Sequence, residues 1–497
     1  MELIQILRKL SFGQRVAEEE GDSLARYFVE TDHWHRLFGG TVDIVYGPKG
    51  SGKSALYSLL IARTDDLFDR QVLLAPAENP RGATAFRDLV AEPPASEREF
   101  VALWKLYLLC VISSTFHEYG ITGAAERRVH EALARERLVA GNLNLQSLLR
   151  AVGGYVRRAL RPRSVEGTVH VDPHTGLPSG FGGKITFEEP DDVAIATGAS
   201  SVDELLRLCD ANLEENGLSV WLLLDRLDVA FAESPELEQN ALRAIFKVYL
   251  DLLGLNRLEI KIFLRTDIWR RITSEGFREA SHITRHMTIE WNQQSLMHLI
   301  ALRAAQNDVL LEHYETDRAS VLSSPEAQKR FFYMMCPEQV DVGSRKPETY
   351  DWILSRTCDG SKRNAPRELI HLLNCLREQQ ARRLEIGEPT PDEGRLFARA
   401  AFKDALAEVS RTRLEQTLYA EYPAFRESLE RLRGEKTSHS PQSLASIWAV
   451  PEDKALEQAR DLVEAGFFEE RGTRDAPEFW IPFLYRDALD LVQGSAG

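Results

Sequence analysis

From Thr41 the chain reads TVDIVYG, a short β-branched and apolar run, and at Lys53 it switches to helical spacing in KSALYSLLIAR. QVLLAPA, from Gln71 to Ala77, is a second short apolar run. LSVWLLLD and LEIKIFLRTD follow later as continuous apolar stretches ending in polar residues. Unbroken runs of this length are expected of strands covered on both faces. The helical patterns VDELLRLCDANLEENG, with a glycine stop at Gly217, and LEQNALRAIFKVYLDLLG separate them. Strand and helix alternate, so the pattern predicts an α/β fold with a parallel sheet.

Between about residues 80 and 200 the alternation stops. REFVALWKLYLLCVISSTFHEYG reads as a long apolar helix buried on most sides. YVRRALRPR then gathers Arg157, Arg158, Arg161 and Arg163. VEGTVHVDPHTGLPSGFGGKITFEE, two alternating runs around a Pro/Gly-rich turn, predicts a β-hairpin or small sheet. This stretch reads as an insertion into the sheet. Residues 1–40 form a helical lead-in with the aromatic patch ARYFVETDHWHRLF, and 41–290 form the core with its insertion. Residues 291–434 are almost wholly helical, and 435–497 form a compact closing segment. No fixed-period repeat or low-complexity tract interrupts them.

The turn between the first strand and its helix is GPKGSGKS, Gly47 to Ser54, which fits G-x-x-x-x-G-K-[ST] without a gap. Gly47, Gly50 and Gly52 permit a tight turn whose backbone N–H groups converge on phosphate oxygens, with Pro48, Lys49 and Ser51 between them. The helix that follows adds the partial positive charge of its N-terminus, at Ala55 and its neighbours. In this pattern Lys53 reaches the β and γ phosphates and Ser54 puts its hydroxyl on Mg²⁺, so the expected cofactors are ATP and Mg²⁺. A chance glycine-rich turn is the competing reading. A strand before, a helix after and an acidic strand downstream weigh against it.

That acidic strand is VWLLLDRLDVAF. Asp225 emerges from its buried end, where a carboxylate holds Mg²⁺ through water. The next position, where many hydrolytic relatives carry a glutamate, is Arg226. Asp228 is the next acid and either orients the attacking water or caps the following helix. Turnover is accordingly expected to be slow. IKIFLRTDIW brings Arg265, Thr266 and Asp267 to the exit of a third strand, at the edge where ligands bind in parallel sheets. Arg265 there either senses the γ-phosphate or pairs with Asp228. Arg278 and Arg285 in GFREASHITRH are candidate fingers for a neighbouring subunit, against the plainer reading of a solvated basic helix. In APRELIHLL, Pro366 opens a helix and Arg367 is placed to reach back to the phosphates, against a surface role.

Composition narrows the class. At 497 residues, with 43% hydrophobic and 28% charged residues, the chain has the make-up of a multidomain globular protein. A net charge of −15 argues against wholesale wrapping of nucleic acid and leaves room for one local basic patch. Cys110, Cys209, Cys336, Cys358 and Cys375 form no C-x-x-C pair and read as buried thiols in a reducing compartment. The opening MELIQILRKLSFGQRVAEEE has no secretory pattern, and runs such as LWKLYLLCVI are about half of the ~20 residues a membrane span needs. A cytoplasmic location without membrane contact is the expectation.

Taken together, LLLDRLD resembles the D-G-h-D strand of NACHT-type and KAP-type STAND ATPases, and FLRTD resembles their first sensor element. APRELIHLL is similar to the second sensor helix of origin-recognition-type ATPases. The set places the chain on the AAA+/STAND side of the P-loop ATPases. The opening YFVET…VDIVYGPKGSGKSAL and closing FWIPFLYRDAL also resemble a poorly characterised bacterial P-loop ATPase family, some of whose members sit among phage-defence genes. The resemblance covers residues 20–75, 200–300 and 360–385 well, 438–494 loosely, and the insertion not at all. It implies an ASCE-type sheet, a helical lid, a C-terminal winged helix and nucleotide-dependent homo-oligomers. By position, Lys53 and Ser54 would be the Walker A ligands, Asp225 the Walker B acid, Arg265 the first sensor and Arg367 the second.

The closing segment carries helices, a turn at Gly466 and a pair of runs that suit a wing. Its expected recognition helix, KALEQARDLVEAG, sets three acids against Lys454 and Arg460, which favours an effector protein over DNA. The arginines at 157, 158, 161 and 163 are the strongest candidate for nucleic-acid contact, or they pair with acids elsewhere. Two functions follow: a slow ATPase switch acting on nucleic acid, in a setting such as phage defence, or a nucleotide-gated scaffold that recruits an effector with little turnover. A small-molecule kinase fits the separate helical and winged regions poorly.

Overall fold

A computed structural model of the chain describes residues 2–79, 86, 94, 96–139, 144–160, 185–190, 192, 195, 198–227, 235–274 and 276–495. These fall into two compact units. One holds Asp32–Gly47 and Lys53–Ile289, the other Met1–Thr31, Pro48–Gly52 and Glu290–Gly497.

The first unit is built on five parallel strands. They are β1 (Ile44–Gly47), β2 (Val72–Pro76), β3 (Ser219–Leu224), β4 (Leu258–Arg265) and β5 (His286–Thr288), in the order β2–β3–β4–β1–β5. The strand that leads into the glycine loop is thus separated by β4 from the strand that ends at Asp225, the order expected of an ASCE-type sheet. β3 and β4 are the apolar runs seen in the sequence, and almost every position of both is buried. β5 has only three residues, too few for periodicity to mark it. Lys261 breaks the apolar run of β4 with a side chain that is 0% exposed. Its Nζ donates to the Val42 carbonyl at 3.0 Å and to carboxylate oxygens of Asp43 and Glu259 at 2.7 Å each, and it lies 4.2 Å from the Trp221 ring centroid. A buried cation persists when every proton has an acceptor.

Helix α1 (Lys53–Ala62) follows the loop. α2 (Glu97–Glu118) is the long apolar helix, capped by Ser96 and buried along most of its length. Trp104 and Tyr107 fasten it through hydrogen bonds to the carbonyls of Ala241 and Ala77, at 2.9 and 2.7 Å. At 22 residues α2 is long and apolar enough to cross a bilayer, which corrects the expectation that no run reaches that length. In this fold 78% of its most apolar window is buried inside the protein. α3 (Val202–Glu215), α4 (Pro235–Leu252) and α5 (Thr266–Ser274) complete the alternation, and Gly217 ends α3 in the left-handed conformation it was expected to supply. Of the predicted hairpin, residues 161–184 lie outside the described residues. The described end, Ile185–Thr186, pairs in parallel with Ser200–Ser201.

The second unit is mainly helical. α6 (Gln293–Ala304) starts in a capping box of Asn292 and Ser295, and its Arg303 ties in the N-terminal segment by donating to the Phe12 carbonyl at 2.7 Å and to the Glu20 carboxylate. α7 (Pro366–Glu385) and α8 (Arg399–Arg413) pack together, and α8 runs on into a π-helical turn, Leu414–Leu418. The closing segment has β6 (Lys436–His439), α9 (Pro441–Trp448), α10 (Glu452–Glu464), then the hairpin β7 (Glu469–Thr473) and β8 (Ala476–Trp480), and lastly β9 (Val492–Ser495). The sheet order β9–β6–β8–β7, with the β7–β8 pair as the wing, is that of a winged helix with one added strand. Its core residues, among them Leu444, Leu462 and Tyr485, belong to the same hydrophobic cluster as α7 and α8.

The cysteines match the reading of buried thiols at four of five positions, Cys358 being half-buried. All five are free thiols, four of them buried, and burial pushes each thiol pKa up, to about 12 for Cys358 and Cys375 and further for the rest. Such thiols stay protonated and unreactive.

Candidate nucleotide-binding site

The loop begins at Gly47, which is in register with Arg265 across the β1–β4 pair. The Ser51 N–H donates to the Pro48 carbonyl at 3.3 Å, and the Trp291 indole N–H donates to the Ser51 carbonyl at 2.8 Å. Lys49 forms an ion pair with Glu421. Gly50 has φ +78°, and a Cβ placed on it would lie 3.2 Å from Cβ of Arg367 and 3.4 Å from Cβ of Ala365 and Oε2 of Glu368. Glycine is therefore required here twice over, by backbone conformation and by space. Gly52 closes the turn at φ +102°, and Lys53, Ser54 and Ala55 form the first turn of α1. The Lys53 ammonium donates to the Gly47 carbonyl at 2.9 Å.

Asp225 follows the last residue of β3 and is 4% exposed. Tyr57 of α1 donates to the Glu78 carbonyl at 2.6 Å. Its hydroxyl pKa is driven up first by burial and then by the negative charges of Asp225 and Glu78, which sets Asp225 close to α1. Arg226, the next residue, has φ +59°, a left-handed conformation that a non-glycine residue adopts at some energetic cost. Asp228 lies outside the described residues.

At the exit of β4, Arg265 donates to both carboxylate oxygens of Asp267, at 3.1 Å from Nε and 2.7 Å from Nη2. Burial opposes ionisation of Asp267, but the Arg265 guanidinium and, further off, the Lys53 ammonium outweigh it and hold the carboxyl below its usual range. Arg265 thus pairs with Asp267, an acid the sequence put at the strand exit without a role, and the other expected partner, Asp228, lies outside the described residues. The position of Asp267 two residues after Arg265 was the available signal.

In the mainly helical unit, Pro366 and Arg367 open α7 as expected. A cleft beside them is lined by Arg15, Lys49, Arg367, His371, Arg413 and Gln416 among others. Arg15 donates to the Gln416 side chain at 3.0 Å from the N-terminal segment, and Gln416 sits in the π-helical turn. Arg413 is buried and donates to Glu368 at 2.8 Å, with the Tyr485 hydroxyl at 3.4 Å and Asp359 at 3.8 Å. Arg15, Glu368 and Arg413 were not legible as site residues, because three distant segments supply them.

Arg285, one of the two candidate fingers, has partners of its own. Its guanidinium is committed within its own unit, to Asp43 at 3.0 Å, the Gly40 carbonyl at 2.5 Å and Glu259 at 3.4 Å. Arg278 is exposed at the start of a short 3₁₀ turn, Arg278–His282. Arg157 and Arg158 close the helix Leu145–Leu160, while Arg161 and Arg163 lie outside the described residues. On α10 the exposed side chains are mostly acidic, with Glu452, Asp453, Glu457, Asp461 and Glu464 against Lys454 and Arg460.

No protein-family model matches the chain, and no curated protein matches it. Among solved structures, the Walker-type ATPase PABY2304 of Pyrococcus abyssi is similar at 12% identity over 96% of this chain and 98% of its own, with a TM-score of 0.40. The Aeropyrum pernix ORC1 protein in complex with DNA is similar at 13% identity over 96% of each chain, with a TM-score of 0.38. The Aeropyrum pernix ORC2 protein in its ADPNP–ADP complexes is similar at 12% identity, over 97% of this chain and 96% of its own, with a TM-score of 0.36.

Proposed function

We propose that this chain binds ATP with Mg²⁺ at Gly47–Ala55 and works as a nucleotide-dependent switch of the AAA+/STAND kind, hydrolysing slowly. The observation that carries this reading is the glycine loop between β1 and α1, with the buried carboxylate of Asp225 at the end of β3 and β4 between the two strands. A hydroxyl at Ser54 and a carboxylate at Asp225 are hard oxygen donors of the kind Mg²⁺ takes, the latter through water. Held by Ser54 and Asp225, the ion would offset the negative charge that develops on the phosphates. The chain's own part is to cradle the phosphates with loop N–H groups, to neutralise them with Lys53 and to set Arg265 and Asp267 at the neighbouring strand exit. Arg367 is the candidate second sensor.

Slow turnover is supported by Arg226, which occupies the position of the water-orienting glutamate with a cation. Asp228 and Asp267 are the acids left to orient water. In the switch reading, Arg157, Arg158, Arg161 and Arg163 contact nucleic acid, and resemblance to a bacterial family with members among phage-defence genes suggests a defence setting. The acidic face of α10 favours the second reading, a nucleotide-gated scaffold whose winged helix recruits an effector protein. ATP turnover measured with and without double-stranded DNA, alongside light scattering for assembly, separates them. Stimulation by DNA, lost on Arg157→Glu/Arg158→Glu and weakened by salt, supports the first. ATP-dependent assembly with turnover unchanged by DNA supports the second. No measurable binding of ATP overturns both.

A further inference from the structure

Two buried polar atoms beside the glycine loop have no hydrogen-bond partner among the described residues, Oε2 of Glu368 and Oγ of Ser51. Glu368 is 6% exposed and Ser51 2%. Oε2 stands 3.4 Å from where a Cβ on Gly50 would be, and Ser51 is the next residue along the loop. One atom is a carboxylate acceptor and the other a hydroxyl that can donate, so each is what the other lacks. Buried groups of this kind are normally paired, and leaving both unpaired disfavours the loop setting that does so. The other oxygen of the carboxylate, Oε1, accepts from Arg413 at 2.8 Å, which fixes its orientation.

From this we infer that Glu368 is a positioning residue for the phosphate loop: when nucleotide binds, the Ser51 hydroxyl donates to Glu368 Oε2. The inference rests on the nucleotide reading above. A bond made in the loaded setting of the loop and absent from the other favours the loaded setting by its full worth. Arg413, the counter-charge of Glu368, also meets the Tyr485 hydroxyl and Asp359, and the Asp359 carboxylate lies 3.2 Å from where a Cβ on Gly466 would be. The loop's setting is therefore linked through one buried ion pair to the turn that precedes the wing.

The test is a mutant cycle on the full chain, with affinity for Mg²⁺ and a non-hydrolysable ATP analogue measured by calorimetry. Ser51→Ala is one arm. Glu368→Met/Arg413→Met is the other, because removing a buried ion pair as a unit leaves no lone charge. Ser51→Ala should weaken binding about 5- to 10-fold in the natural background and less than about 2-fold in the double-Met background. Ser51→Thr, which keeps the hydroxyl, should stay within about 2-fold of the natural chain. Equal losses in both backgrounds overturn the inference, as does a Ser51→Ala chain that binds normally. If thermal melting shows the double-Met chain unfolded, equal affinity of Ser51→Ala and Ser51→Thr overturns it alone. A natural chain that binds no analogue overturns the ATP reading itself, whereas binding with independent effects overturns only the role of Glu368.

Discussion

The Lys53 ammonium donates a 2.9 Å hydrogen bond to the carbonyl of Gly47, so the seventh residue of the glycine loop is fastened to the first. The same side chain adds to the field that keeps Asp267 ionised. A lysine ammonium at the head of a helix is suited to phosphate oxygens. Lys53→Ala is expected to weaken ATP binding at least about 100-fold, since charge-assisted contacts to phosphate are among the strongest single ones. Unchanged affinity by calorimetry would remove the loop from the site.

In the ATPase reading proposed above, the water-orienting role falls to Asp228 or Asp267. Asp228→Asn is expected to keep nucleotide binding and lose hydrolysis. Asp267→Asn frees Arg265 from its bidentate partner and is expected to lower turnover about tenfold or more with affinity held within about threefold. Steady-state turnover and equilibrium binding, measured on both variants, assign the role. Wild-type turnover in either variant removes that residue from the mechanism.

Gly50→Ala places a side chain where φ is +78° and where Cβ of Arg367 would be only 3.2 Å away. The expected cost in stability is about 1–3 kcal/mol, with weakened nucleotide binding. A urea midpoint equal to that of the natural chain would show that the loop does not hold this conformation.

Asp43 and Lys261 are 1% and 0% exposed and share a 2.7 Å contact. Asp43→Ala leaves Lys261 with one carboxylate, Glu259, where it had two, and strips Arg285 of its closest carboxylate. Breaking a buried pair from one side costs about 3–5 kcal/mol, which chemical denaturation would read directly. A loss below about 1 kcal/mol would mean that the sheet does not depend on this cluster.

Burial lowers the imidazole pKa of His298, His371 and His439 below the ordinary value of 6.5, with the Arg15 charge adding to the effect at His371. As pH falls through 6.5 the unfolded chain takes up protons at these rings before the folded chain does. Stability is therefore full above that pH and declines below it. Urea midpoints at neutral and mildly acidic pH should show the fall, and His371→Gln should shallow it. A midpoint constant across that range would contradict the burial of these rings.

The glycine loop, the strands of the parallel sheet longer than three residues, the helix opened by Pro366 and the Gly466 turn before the wing were all legible along the chain. Each is written in local signals, a period, a proline at a first helical turn or a glycine at a left-handed position, that act over a few residues. Asp267 stands two residues after Arg265 along the chain, yet the pairing itself depends on how β4 hands over to α5. Arg285 read equally well as a free finger or as part of a basic surface, and only the proximity of Asp43 and Glu259 shows it committed.

The sequence by itself determined the alternation of strand and helix, the loop that suits phosphate and the acids and arginines available around it, because these follow from side-chain period and backbone preference. Tertiary structure alone decided that β4 separates the loop strand from the Asp225 strand, that Asp267 stands against Arg265, and that Glu368 faces Gly50 with Arg413 behind it. Those are contacts between residues distant in sequence or on different elements, fixed by packing, and packing leaves no period along the chain.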